Sequence, residues 1–531
     1  MNDYISNLIE NIKKTENLKS VGLIETHISW VLLTGSIAYK IKKPVNLGFL
    51  DFSTIEKRYQ YCQEELRLNK RYSPDIYLAV IAITGTYENP KLNSNIDCGA
   101  INIDKTDRDV IDYAVKMKQF SADSELTHAI EGKHLNSSHI DKLAELIADF
   151  HKKIAISTTF DPGKNIFPEQ NSTLDTIEIL LNNISDKNSL DRVIAIKNWI
   201  NRSFDKNNAF FRQRHMQGFI RECHGDLHLN NIALVDDNII LFDGIEFSES
   251  LRWIDVISEI AFLIMDLQHN NLNNMAYRFL NDYLEITGDY QGLILLNYYL
   301  VYRAIVRAMV AALRSNQVDV SNAEKKALKN ECDSYISLAE SYIQDSKPAL
   351  MICHGLSASG KSTISQTILE NLPAIRIRSD VERKRLYGLG KHQHTKSGLG
   401  ENIYKPDATI KTYDRLNEFS DILLKNGHNV IVDATFLSQK QRDLFRNTAN
   451  VNKCKFVILD FIAPAKVLRE RIKKRNENKH EVSEADINIL ENQIKNQIPL
   501  DKDELVVTLK IDTQIPFNLP LFKKEFSHFI A

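Results

Sequence analysis

Short stretches of alternating apolar and polar positions open the chain. Trp30–Leu33 and Ala38–Val45 alternate about Gly35-Ser36, which predicts a β-hairpin. From Asp51 the period changes to the i, i+3, i+4 spacing of a helix that runs through about Tyr72, with Ser53 or Thr54 as N-cap and Glu56 in the first turn. Ser73-Pro74 ends it, because the residue before proline avoids the helical region. Residues 121–345 are mainly helical in pattern. They are interrupted by two short strands, Asn231–Val235 and Ile239–Phe242, joined across Asp236-Asp237. A charged helix is predicted from about 321 to 344.

Beyond Ser346-Lys347-Pro348 the pattern changes again. Apolar runs at Ala349–Cys353, Ile375–Ile377, Asn429–Val432, Lys455–Phe461 and Leu505–Ile511 alternate with helical segments, as in a parallel sheet covered on both faces. The expected organisation is an α+β domain over 1–345, with a small lobe to about 120 and a large lobe over 121–345, followed by an α/β domain over 346–531.

Composition narrows the function classes. With 43% hydrophobic and 26% charged residues, the chain is globular over most of its length rather than disordered. A net charge of −2 gives no general electrostatic footprint for nucleic acid or an anionic membrane. The six cysteines are widely separated with no CxxC pair, which argues against a disulfide framework or a thiolate zinc site and fits a cytoplasmic protein. Gly292–Leu313 is long and apolar, but Asn297, Arg303 and Arg307 within it favour a buried helix over a membrane span. Only 19 residues are glycine, where ordinary usage would give roughly 37. Glycines that cluster are therefore informative.

Two such clusters carry chemistry. After the first apolar run of the α/β region comes Gly355-Leu356-Ser357-Ala358-Ser359-Gly360-Lys361-Ser362-Thr363, then a helical run. This is the phosphate-binding pattern G-x-x-x-x-G-K-S in its strand-to-helix context. Its backbone N–H groups and helix N-terminus suit phosphates, Lys361 is expected to reach the β- and γ-phosphates, and the Ser362 hydroxyl to bind Mg²⁺. Asp433 ends a later strand, where a carboxylate acts on magnesium or its water. Asp380 ends the second strand, where ligands bind an open parallel sheet, and is placed to accept a proton from an attacking hydroxyl. Arg383 follows one turn later as a candidate clamp on substrate phosphate or carboxylate. Arg471 and Arg475 share a helix face and suit the charge on a transferring phosphoryl group, with Asn476–His480 as a candidate lid. The segment Tyr387–Tyr413 holds Gly388, Gly390, Gly398 and Gly400 and is a candidate substrate-facing loop.

The second cluster is Cys223-His224-Gly225-Asp226-Leu-His228-Leu-Asn230-Asn231, followed by Asp243-Gly244 after a hairpin strand. An Asp, an Asn five residues on and a second strand-end Asp follow kinase logic. Asp226 would orient or deprotonate the acceptor hydroxyl, while Asn231 and Asp243 would hold Mg²⁺ on the phosphates. Such a site also needs a strand Lys paired with a helix Glu. Lys40 and Lys42 lie on one strand face, and Glu64 and Glu65 lie mid-helix; Lys40 with Glu65 is the favoured pair, and an exposed basic strand end is the alternative. There is no full G-x-G-x-x-G; only Thr34-Gly35-Ser36 is available to cover phosphates.

On Gly355–Thr363, Arg378-Ser-Asp380-x-x-Arg383 and Arg471/Arg475, about 180 C-terminal residues resemble the zeta-toxin and polynucleotide-kinase-like P-loop kinases. On the HGD loop, Asn231 and Asp243, about 340 N-terminal residues resemble the aminoglycoside phosphotransferase and choline-kinase branch of the protein-kinase-like fold. The resemblance makes Asp255 a structural support of that loop. The two halves in this order resemble bifunctional aminoglycoside phosphotransferase-like and P-loop ATP-binding proteins. The resemblance implies ATP-dependent, Mg²⁺-dependent phosphorylation of a hydroxyl and leaves the acceptor open. Three readings follow: two ATP sites acting on small hydroxylated molecules; one P-loop kinase regulated by a ligand-binding kinase-like domain; or a nucleic-acid 5′-hydroxyl kinase, which near-neutral charge disfavours.

Overall fold

The computed structural model describes residues 3–530 apart from 47, 49, 94–108, 133, 159–167, 319, 392, 394–402, 404 and 476–485. Among these residues the strands in chain order are β1 (Gly22–Glu25), β2 (Ser29–Leu33), β3 (Ile37–Lys42), β4 (Tyr77–Thr86), β5 (Asn89–Asn93), β6 (Val110–Lys118), β7 (Ile220–Glu222), β8 (Ile232–Val235), β9 (Asn238–Leu241), β10 (Trp253–Asp255), β11 (Ala349–His354), β12 (Ala374–Arg378), β13 (Asn429–Asp433), β14 (Lys455–Ile462) and β15 (Thr508–Asp512). The chain separates into two compact units. One contains residues 1–142, 149–172 and 208–263; the other contains 143–148, 173–207 and 264–531. The helical segments 173–207 and 264–345 thus group by packing with the parallel sheet, so the packing division does not follow chain order.

In the first unit an antiparallel sheet runs β1-β2-β3-β6-β4-β5. Alternation in β3 sends its side chains to two different cores. Tyr39 and Ile41 pack with Trp30, Leu32, Ile81 and Ile83 under the helix Asp3–Thr15, which buries Tyr4, Ile5, Leu8, Ile9 and Ile12. Lys40 and Lys42 instead point toward Glu65 of the helix Ile55–Asn69. That helix also places Cys62 beside Ile76, Tyr77, Val80 and Val115. Thr54 is its N-cap, accepting from the Lys57 N–H, and it ends at Asn69 rather than near Tyr72. β7 pairs with β10, and β8 with β9, both antiparallel. The β8–β9 turn has Asp236 and Asp237 at φ of 48° and 62°, the left-handed pair of a two-residue hairpin.

In the second unit five strands form a parallel sheet in the order β12-β13-β11-β14-β15. All six residues of central β11 are buried. The apolar run expected as one strand over Leu505–Ile511 is divided: Lys502–Val506 is a helix and β15 follows it. The cause is a capping box, in which Asp501 accepts from the Glu504 N–H (2.8 Å) and Glu504 accepts from the Asp501 N–H (2.9 Å). The helix Leu296–Ser315 occupies the long apolar stretch, and among the described residues no helix is long and apolar enough to cross a membrane.

Candidate functional sites

The P-loop follows β11 directly. Gly355 has a φ of 143°, and a Cβ there would stand 2.6 Å from the Phe461 carbonyl oxygen, so the chain leaves the sheet along a path closed to larger residues. The loop closes on the helix Lys361–Asn371, whose first N–H groups have no intrahelical partner. Lys361 Nζ donates to the carbonyls of Gly355 (3.0 Å) and Leu356 (2.7 Å) and reaches Ser359 Oγ at 3.4 Å, which arches its ammonium back over the loop. Ser362 Oγ donates to Asp433 Oδ2 at 2.7 Å. These are hard oxygen donors beside a phosphate cradle, and they fit magnesium.

A cavity of about 1190 Å³ opens over this group and includes Asp380, Arg383, Thr363 and Arg471 in its lining. Asp380 lies in the first turn of the helix Ser379–Leu386 that follows β12. Arg383 is buried and donates to Ile403 O (3.1 Å) and Thr409 Oγ1 (3.2 Å), so it forms a fixed cationic wall. Arg471 folds onto the loop, donating to Thr513 Oγ1 (2.9 Å), Thr513 O (2.6 Å) and Ala358 O (3.3 Å). Arg475 closes the same helix, Ala465–Arg475. The lid segment 476–480 and residues 394–402 of the candidate substrate loop lie outside the described residues.

Sequence reasoning gave no role to Arg378 beyond the motif it belongs to, and missed Glu285. Arg378 Nε lies 3.5 Å from Asp433 Oδ2, and its Nη1 lies 3.4 Å from Glu285 Oε2. Burial raises the Glu285 pKa, but Arg378 and Arg376 outweigh it and bring the carboxyl down to about 2.

The first unit holds the second constellation. Lys40 Nζ lies 2.9 Å from Glu65 Oε1 and also pairs with Asp243. Lys42 lies 2.7 Å from Glu65 Oε2 and pairs with Glu246. Glu65 therefore serves both lysines. Glu64 turns away to Arg67 (2.6 Å) and Arg252 (3.0 Å). In the HGD loop, Asn231 Nδ2 donates to the carbonyl and the Oδ2 of Asp226, each at 2.9 Å, and His228 Nε2 stands 3.3 Å from that carboxylate. The Phe242 N–H donates to Asn231 O at 3.0 Å, which brings the strand ending at Asp243 beside Asn231.

Several groups fix this loop, and among them Glu259, Tyr77 and Asn69 have no sequence signature. Glu259 accepts the N–H groups of His224 (2.6 Å) and Gly225 (2.9 Å). A Cβ at Gly225, whose φ is 87°, would stand 2.8 Å from Leu251 O. Asp255 forms a buried pair with Arg214 at 2.6 and 2.8 Å and accepts the Ile257 N–H. Asp243, at φ 62°, donates its N–H to the Tyr77 hydroxyl, and Gly244 donates to Asn69 Oδ1, both at 2.9 Å. Burial pushes the His224 pKa down, so the imidazole whose Nε2 meets Phe242 O at 2.9 Å is neutral near pH 7.

Burial raises the Glu65 pKa, but Lys40 and Lys42 outweigh it and lower the carboxyl to about 2 from an ordinary 4.5. Because the folded pKa is depressed, its stabilisation is complete above about 4.5 and is lost as pH falls toward 2. The melting-temperature gap between the parent protein and Glu65→Gln should therefore narrow steadily over that range. A gap constant with pH would show that the carboxylate is not held ionised by the lysines.

Comparison with known proteins agrees with this picture for the C-terminal part. An AAA domain family matches residues 350–500. Uncharacterized proteins of Mycobacterium tuberculosis and Mycobacterium bovis are 26% identical over 454 residues, covering 85% of this chain and 85% of each relative. Among solved structures, a gluconokinase from Sinorhizobium meliloti is similar at 22% identity and a TM-score of 0.23, covering 32% of this chain and 86% of its own. An ethanolamine kinase from Plasmodium vivax is similar at 12% identity and a TM-score of 0.37, covering 63% of this chain and 85% of its own. By fold and motif, the chain joins an α+β N-terminal part with an antiparallel sheet to an α/β P-loop domain with a parallel sheet.

Proposed function

We propose that the protein is an ATP-dependent phosphotransferase with two nucleotide sites, each transferring the γ-phosphate to a hydroxyl of a small molecule rather than of nucleic acid. The observation that carries this reading is the Ser362–Asp433 pair at 2.7 Å beside the arched Lys361, in a cavity that also contains Asp380. In the P-loop site the acceptor oxygen attacks the γ-phosphorus, its proton passes to the Asp380 carboxylate, and the bond to the β-phosphate oxygen breaks to release ADP. Lys361, Arg383 and Arg471 supply fixed positive charge where the transferring group gains negative charge. Magnesium, when bound, would be held by Ser362 and Asp433 here and by Asn231 and Asp243 in the N-terminal site, and would neutralise phosphate charge. In that second site Asp226 takes the acceptor proton, while Lys40, set by Glu65, meets the phosphates.

One observation favours the single-kinase reading. The sequence offers only the turn Thr34–Ser36 to cover phosphates, and the Gly35 N–H of that turn is already donated to Gln119 Oε1 at 2.8 Å. ATP consumption by separate Asp226→Ala and Lys361→Ala variants, incubated with a metabolite extract and MgATP, decides between the two. Two sites predict that each variant abolishes a different set of phosphorylated products by mass. Loss confined to Lys361→Ala would leave the N-terminal part as a ligand-binding regulator.

A further inference from the structure

The helix Asn273–Thr287 belongs in sequence to the mainly helical 121–345 region, yet within the second unit it packs against the sheet of the P-loop domain. Among the described residues strand β12 is an edge of that sheet, with one side of its backbone unpaired by any strand. Asn281 supplies the missing partner. Its side chain is fully buried, accepts the Arg376 N–H at 2.7 Å and donates to Ala374 O at 3.0 Å, so an amide stands in for a neighbouring strand. Arg278, one turn earlier, pairs with Glu370 at 2.6 Å, and Glu285, one turn later, meets Arg376 Nη2 at 2.9 Å. Arg278, Asn281 and Glu285 stand at i, i+3 and i+7, so one helix face makes these three polar contacts.

Glu285 reaches further than the strand. It is 2% exposed, and its second oxygen lies 3.4 Å from Arg378, the last residue of β12. Arg378 in turn stands 3.5 Å from Asp433, the carboxylate that binds Ser362. A charge-assisted hydrogen bond is normally about 2.7–2.9 Å. The Arg376–Glu285 contact has that length, whereas both contacts of Arg378 are longer. Arg378 is thus shared between two carboxylates and closed on neither. Fully paired with Asp433, it would occupy the negative charge that a phosphate-bound cation needs. Glu285 is the competing anion that prevents this.

We propose that Glu285 is a positioning residue for the P-loop site, which keeps Asp433 available to Mg²⁺-nucleotide by drawing Arg378 away from it. The proposal rests on the reading of the P-loop as a nucleotide site. It makes that site depend on a helix outside the P-loop domain, and so gives the rest of the chain a lever on phosphate chemistry. A shift of this helix along β12 would release Arg378 onto Asp433 without touching the P-loop itself.

The test is equilibrium binding of ADP to the full chain as a function of Mg²⁺, taking the component that Lys361→Ala removes. Glu285→Gln keeps the side-chain shape and removes the charge. It should raise the Mg²⁺ concentration for half-maximal binding about tenfold, the size of a charge coupling between neighbouring groups. Arg378→Gln alone should lower that concentration, and the double variant should match Arg378→Gln, since Glu285 acts only through Arg378. A merely structural Glu285 would instead lower the melting temperature and leave the Mg²⁺ dependence alone. An unchanged Mg²⁺ requirement in Glu285→Gln, or the same tenfold rise in the Arg378→Gln background, overturns the proposal. If Glu285→Gln does not fold, Arg378→Gln decides alone, and a requirement that does not fall counts against it. A Lys361→Ala variant that loses no component of ADP binding would overturn the P-loop reading itself, a different result from Lys361-dependent binding with an unaltered Mg²⁺ requirement.

Discussion

Lys361→Ala is expected to lower ATP turnover at the P-loop site by about 10²–10³-fold, the usual cost of removing one fixed charge that faces a developing phosphoryl charge. The size follows from where the ammonium sits. Lys361 is 9% exposed, held by two loop carbonyls and the Ser359 hydroxyl, and it opens the helix that points at the phosphates. In that partly dehydrated position the charge acts at a short distance and without reorganisation. The fold should survive the change, because those carbonyls lie at a loop that can take up water. The measurement is kcat with MgATP, alongside a melting curve. A fall in kcat of less than threefold with an unchanged melting temperature would mean that the loop binds something other than the reacting nucleotide.

Lys42→Ala should destabilise the protein by about 3–5 kcal/mol, and Lys40→Ala by clearly less, although the two lysines share a strand face and a glutamate. The Lys42 side chain is 1% exposed and stands between Glu65 and Glu246, themselves 0% and 4% exposed. Removing it strands the buried Glu246 and leaves the buried Glu65 with Lys40 alone, and an uncompensated buried charge is far more costly than a missing exposed pair. Lys40 is 12% exposed and faces Asp243, whose side chain is 46% exposed. Its loss leaves one partner in contact with water and should appear mainly as lost turnover of the N-terminal site. Urea unfolding of both variants reads the difference. Equal destabilisation would mean that the two lysines are one structural unit and that neither is reserved for nucleotide.

Much of the candidate chemistry was legible because it is local. Gly355–Thr363 and the spacing from Asp226 to Asn231 are contiguous, and each residue type answers a steric or charge requirement visible without a fold. The β8–β9 hairpin was legible from Asp236-Asp237 between two apolar runs, since a two-residue turn needs residues that tolerate positive φ. The strand expected over Leu505–Ile511 was misread in its first half. There the apolar pattern was overridden by a capping box and by Glu504, which takes a buried Arg442 at 2.6 Å.

The sequence by itself determined that this chain carries a phosphate loop, an HGD-type loop and two kinds of sheet, because these follow from backbone freedom, side-chain period and short spacings. It favoured Lys40 with Glu65 without fixing the pairing against Lys42 and Glu64, because alternation assigns a face and not a partner. Tertiary structure decided those pairings, since burial makes each wrong one cost an unpaired charge. Tertiary structure also brought Glu259 under the HGD loop and Glu285 to the strand that ends beside Asp433. Those contacts join residues far apart in the chain, and only packing brings their charges within range of one another.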